Sequence, residues 1–164
     1  MGKFEALTPE EVRKFEKEAI KQFTHDKNEH PHIEPKTNSP VLAKFKSVFP
    51  FDLFPDELIV EEKRIIWIKR FGPKMCEVIT LAPADINRIE ASAGPIFGHV
   101  HIAIPRHDIE IIVERLKRKE AFRARDLIEG LMDAARERIK IEGDSPEERV
   151  KFLIKLAHVE INHR

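Results

Sequence analysis

Cysteine is nearly missing from this chain: in 164 residues only Cys76 occurs. No internal disulfide can form, which points to a reducing compartment. An excess of one charge is missing too. Lys+Arg and Asp+Glu both number 29, so the formal net charge is zero and no global basic field is offered to nucleic acid. No apolar run approaches the roughly 18 residues of a membrane span. The start, MGKFEALTPEEV, places acids before any apolar stretch, unlike a secretory signal, and Ala6 stands where a myristoylation signal needs Ser or Thr. The expectation is a soluble cytoplasmic protein. Glycine is scarce as well. The six glycines are scattered and form neither a phosphate-binding loop nor a dinucleotide fingerprint, and no serine sits in a G-x-S-x-G turn.

What is present is enough for one domain with terminal additions. The hydrophobic fraction of 41% supports a core, and the charged fraction of 35% fits either a thermophile or simply a well-solvated surface. Thr8-Pro9-Glu10-Glu11 is a capping box with proline at the first helical position. Val12, Phe15, Ala19, Ile20 and Phe23 follow at helical spacing, which predicts a helix over 9–24. Residues 25–40 are polar and proline-containing and read as a linker. Short apolar runs between turn residues then predict six strands, over 57–62, 63–71, 75–81, 86–91, 96–104 and 109–113.

From 117 to 139 the period becomes helical, with Ala121, Ala124, Leu127, Ile128, Leu131 and Ala135 on one stripe and Gly143 as a helix-stop region. Gly130 inside that stripe implies a close approach of the helix to a strand. Ser145-Pro146-Glu147-Glu148 repeats the capping box and opens a last helix over 146–162. The expected divisions are 1–40 (helix and linker), 41–142 (sheet domain) and 143–164 (accessory helix).

The stretch from Phe49 to Gly130 carries a recognisable pattern. It comprises the opening PFDLFPDE, strands around Val60 and Trp67, Pro83-Ala84-Asp85-Ile86, the Gly94-Pro95 turn, and a helix ending in Leu127-Ile128-Glu129-Gly130-Leu131. This pattern, about half of the chain, resembles the bacterial pleckstrin-homology-like domains. The resemblance implies an α+β fold: a bent antiparallel sheet or partly open barrel, usually of seven strands, closed by a C-terminal helix. It also implies a binding activity toward proteins, peptides or lipid headgroups. The helices at 9–24 and 146–162 lie outside it.

Candidate chemistry is sparse. His99 and His101, two apart on one strand, point to one face and form a two-ligand start for a metal, with His107, His25 or an acid as a third. His25, Asp26, Glu29, His30 and His32 are dense in ligand atoms but match no zinc spacing and read as a solvated linker. Cys76 lacks a base nearby in sequence and reads as a core or half-buried thiol. Lipid-binding relatives use a basic loop between their first two strands. The turn read here as that loop, Val60-Glu61-Glu62-Lys63-Arg64, offsets two bases with two acids. Lys69, Arg70 and Lys74 form a separate basic turn suited to an anionic partner. Arg115 to Lys119, with Arg123 and Arg125, reads as a solvated helix start, although bases there oppose the helix dipole. The expected function is a non-catalytic binding or scaffolding module for a protein or peptide, self-associating through the apolar side of the first helix. The alternatives are metal-assisted hydrolysis at His99 and His101, and recruitment to an anionic lipid surface. No cofactor and no nucleic-acid partner are expected.

Overall fold

The computed structural model describes residues 39–105 and 109–161. The helix expected over 9–24, the histidine-rich segment 25–32 and His107 lie outside these residues. The described chain runs β1 (Val41–Lys46), β2 (Glu57–Glu61), β3 (Ile65–Arg70), β4 (Cys76–Leu81), β5 (Arg88–Ala93), β6 (Phe97–Ile104), β7 (Ile109–Lys117), α1 (Arg118–Glu137) and α2 (Pro146–Ile161), with a 3-10 turn at Pro83–Asp85. The class is α+β. The strands form two antiparallel sheets, β1-β2-β3-β4 and β5-β6-β7, and these do not close into a barrel. The described residues make one compact unit.

Six of these strands are anticipated from the sequence; β1 is the addition. Its residues VLAKFK alternate as a half-buried strand should: Ala43 and Phe45 oppose Val60 and Leu58, while Lys44 and Lys46 are exposed on the other side. A register shift between Val41 and Ala43 turns Leu42 into the core. In β2 and β3 alternation gives way to burial of both faces. Leu58, Val60, Ile65 and Trp67 enter the main core. Ile59, Ile66 and Ile68, from the opposite face, form a second buried cluster flanked by Val41. Their neighbours on β4, Cys76, Val78 and Thr80, are exposed. Cys76 is therefore not the core or half-buried thiol expected: it begins an edge strand and is exposed.

Sheet two alternates strictly along β6, where Gly98, Val100, Ile102 and Ile104 point inward. Along β7 the inward positions are Ile111, Val113 and then Leu116, one residue late. The register explains this: Gly98 faces Leu116 and Val100 faces Val113, so β7 carries an extra residue there. Arg115 absorbs it in a left-handed conformation, φ 56°. The bulge frees two carbonyls from the ladder, and the other sheet uses both. The Val48 N–H donates to the Arg115 carbonyl at 2.8 Å, and the buried Ser47 hydroxyl donates to the Glu114 carbonyl at 2.9 Å. These bonds tie the end of β1 to the end of β7.

α1 lays Ala121, Ala124, Leu127, Ile128 and Leu131 on the core. Each large aliphatic side chain so buried contributes about 1.5–3 kcal/mol. A Cβ at Gly98 would lie 2.5 Å from the Ala121 Cβ, so the missing side chain lets α1 settle on β6. Gly130 serves a close approach too, but to α2 and not to a strand: a Cβ there would lie 2.1 Å from the Leu153 carbonyl oxygen. Two further expectations change. Ala135 is exposed, and α1 stops before Gly143, with Arg138 as a left-handed C-cap (φ 55°) and the Ile139 N–H bonding the Ala134 carbonyl. The second capping box forms as read. The Glu148 N–H donates to Ser145 Oγ at 3.3 Å, and the Glu148 carboxylate accepts from the Asp144 and Ser145 N–H groups. Those two bonds hold the Glu148 carboxyl below its usual range. Val150 and Leu153 join the main core, so α2 belongs to the body that the sheets form.

Candidate binding surface

Large apolar side chains left in water are the first thing to explain in a folded chain. Among the described residues one group is Phe71, Met75 and Val78 at the β3–β4 hairpin, and another sits on the loop 47–56, between β1 and β2. Phe49, Phe51 and Leu53 are 69%, 61% and 64% exposed. The loop is held, not loose. Its start is fixed by the two bonds to the β7 bulge. The Asp52 N–H then donates to the Val48 carbonyl at 3.1 Å, and the Phe54 N–H to Asp52 Oδ1 at 3.2 Å. Asp52 also meets Arg115 at 3.8 Å. These bonds turn the polar residue of F-D-L inward and its apolar neighbours outward.

The turn between β5 and β6 adds to the same place. Ile96 is 67% exposed, and the Phe97 ring meets the Phe51 ring edge-to-face at 5.1 Å between centroids. Val48, Phe51, Ile96 and Phe97 line a shallow cleft of about 580 Å³ whose remaining wall is Lys117, Arg118, Lys119 and Glu120. Lys117 reaches Glu120 at 3.7 Å and caps α1 without a side-chain hydrogen bond. Among the described residues Arg118 and Lys119 pair with no acid. One end of the molecule therefore presents an apolar cluster with a basic wall.

The residues singled out from sequence fall elsewhere. The first inter-strand loop is 47–56, since β1 precedes β2. It has no base at all, and the turn at 60–64 is the second. In that turn Glu61, fully buried, is met by Arg64 at 2.6 Å and 3.4 Å, and Glu62 by Arg149 at 2.6 Å. Of the basic turn, Arg70 is committed to the fold: its guanidinium donates to the Pro55 carbonyl at 2.9 Å and pairs with Glu57 at 3.3 Å. Its backbone N–H donates to Asp56 Oδ1 at 3.1 Å. Burial pushes the Asp56 carboxyl above its usual range, and that backbone bond opposes the rise. Lys69 lies over the Trp67 and Phe71 rings at 5.4 and 5.3 Å. Lys74 is exposed.

His99 and His101 do share one face, the outer face of sheet two, where they line an open cleft of about 660 Å³ with Ser92, Ile112 and Arg125. His101 stands between two carboxylates: Nδ1 is 3.8 Å from Glu90 on β5, and Nε2 is 3.5 Å from Glu110 on β7. The two acids thus meet opposite edges of one ring, and a cation on either nitrogen would find one carboxylate, not both. Among the described residues no group of three or more His, Cys, Asp or Glu is arranged to hold a metal ion.

Sequence reasoning missed Phe49, Phe51, Leu53, Ile96 and Phe97 as surface residues. The available signal was the pair Pro50 and Pro55 inside an alternating apolar run, which denies that run a ladder and leaves its side chains without a sheet to pack on. Neither a known protein family nor a curated protein matches this sequence. Among the described residues no helix is long and apolar enough to cross a membrane.

Proposed function

We propose that this chain is a non-catalytic binding module of the pleckstrin-homology-like kind, and that it holds its partner on the surface around Phe51. The observation that carries the reading is the set of exposed large apolar side chains on a loop tied at its base to the opposite sheet. Exposing them costs solubility, and a loop fixed by five polar contacts has no need of them for its own shape. Support for the kinship comes from the seven strands in two antiparallel sheets and from the helix that follows the last strand and packs on both β5 and β6.

The test is the doubly substituted chain Phe51→Asp/Leu53→Asp. Both positions are exposed, so its melting temperature should stay within a few degrees of the parent. Whatever material the parent retains from its native cell should be lost by the variant. Equal retention by the two proteins would remove this surface from the function.

A further inference from the structure

We propose that the chain pairs with a second copy of itself along the free edge of β4, joining two four-stranded sheets into one continuous antiparallel sheet. This edge and the Phe51 loop lie on different elements. A sheet edge offers a row of unpaired N–H and C=O groups, and folded proteins guard such rows with bulges, lysines, prolines or covering elements. The outer strands of the two sheets differ in that respect. β1 has a register shift between Val41 and Ala43 and carries exposed Lys44 and Lys46. β5 carries exposed Arg88 and Glu90 and is packed by α1. β7 is interrupted by the Arg115 bulge, whose carbonyls are taken by Val48 and Ser47. β4 has none of these guards. It keeps an unbroken register with β3 and contains neither proline nor lysine. It is exposed from Cys76 to Val78 and again at Thr80, and among the described residues no strand lies beyond it.

Which backbone groups are free follows from the ladder. Opposed residues of an antiparallel pair alternate between bonding each other and facing away. The Phe71 N–H donates to the Met75 carbonyl at 3.0 Å, so the next residues of β4 to face β3 are Glu77, Ile79 and Leu81. The other side of β3 gives the same phase. The Glu61 N–H donates to the Arg64 carbonyl at 2.9 Å, so Ile66 and Ile68 bond to β2, leaving Ile65, Trp67 and Lys69 for β4. Cys76, Val78 and Thr80 therefore turn their N–H and C=O groups outward.

That outward row matches itself. A two-fold axis at Val78 sets Val78 against Val78 of the second copy, and Cys76 against its Thr80. These pairs are small and uncharged, and Val and Thr are β-branched, which favours strand pairing. On the other face Met75, 66% exposed, comes opposite Leu81 of the second copy. Glu77 comes opposite Ile79 and keeps Lys69 across its own ladder. An axis at Glu77 would instead set two carboxylates directly opposite each other, which is destabilising. An axis at Ile79 would call on Ala82, whose carbonyl already accepts the Asp85 N–H at 3.0 Å. Pairing about Val78 thus satisfies the free backbone groups and covers the exposed Met75 and Val78 together.

Light scattering on the full chain, after size exclusion, tests this. With rising concentration the mass should climb from the 19.1 kDa of one chain toward twice that value. An edge contact is small, so the dimer should belong to the weak, transient class. Val78→Lys should weaken it about tenfold or more, because two like charges come to stand opposite each other. Val78→Pro should abolish it and leave the circular-dichroism spectrum unchanged, because the N–H that it removes faces away from β3.

Cross-linking reads the register. The Cα atoms of a bonded pair lie about 5.5 Å apart, within reach of a disulfide. Oxidised glutathione should therefore link Cys76→Ser/Val78→Cys into a covalent dimer much faster than the parent, whose Cys76 faces Thr80 of the second copy. Equal rates overturn the register. A mass of one chain at every concentration overturns the dimer, and so does a dimer that survives both substitutions of Val78. A dimer lost in Phe51→Asp/Leu53→Asp but kept in Val78→Lys also overturns it, in favour of the loop. Loss in the Val78 variants alone supports the edge and leaves the reading of the Phe51 surface untouched.

Discussion

Asp56 shows how one residue can oppose the fold that it helps to hold. Its Oδ1 accepts the Arg70 backbone N–H at 3.1 Å, yet burial keeps its carboxyl above the ordinary value of 3.8. Between 3.8 and that raised value the folded protein binds more protons than the unfolded chain. Stability from this group is therefore present at the acid end and declines as pH rises through the window. Asp56→Asn keeps an acceptor for Arg70 and removes the ionisation. Its stability relative to the parent should climb across that window and then level off toward neutrality. Urea denaturation at a series of pH values checks this, and parallel curves would refute it. Glu148 works in the opposite sense: its lowered carboxyl stabilises above the unfolded value and loses that contribution as pH falls through the folded one. The comparison of Asp56→Asn with the parent cancels Glu148, which both proteins share.

Among the elements, the packing of α1 on α2 depends on the absence of one side chain. Gly130→Ala should raise helix propensity by about 1 kcal/mol. The added Cβ, however, would lie 2.1 Å from the Leu153 carbonyl oxygen, and backbone on both helices has to yield. Overpacking of this kind costs about 1–3 kcal/mol, so the net result should be a less stable protein. A raised melting temperature would mean that the helices separate freely.

The same element shows what the sequence could and could not tell. Gly130 was legible as a close approach, because a glycine in an apolar helical stripe needs a reason. Its neighbour was not legible, because nothing local says which element will pass over it. The strands were readable from alternation wherever only one face is buried, as in β6. β2 and β3 were still read as strands from their apolar runs, although alternation assigns them no single inner face, since Ile59 and Ile66 are buried as well as Leu58 and Ile65; β1, which follows a polar stretch, was missed. The contact surface was hidden for a different reason. Phe49, Phe51 and Leu53 look like core residues; Pro50 and Pro55 deny their run a ladder, and the tertiary position of the loop shows where the side chains go.

On the scale of the whole molecule, the residues from Val41 onward contain all seven described strands, both helices and the buried set from Leu42 to Leu153. A chain begun at Val41 should therefore melt in one cooperative transition, followed by circular dichroism. A broad, non-sigmoidal loss of signal would place part of the core before that residue. The tie between the two sheets has a kinetic consequence. The loop that carries Phe51 is closed at its neck by the Ser47 N–H to the Asp56 carbonyl (3.0 Å), but its Val48 N–H is held by a carbonyl of β7, so Val48 is released only when the end of β7 gives way. The surface loop thus inherits the opening rate of an interior strand. Its amide at Val48 should exchange with solvent on the slow timescale of sheet two, and changes in length are best tolerated inside the loop, beyond that anchor.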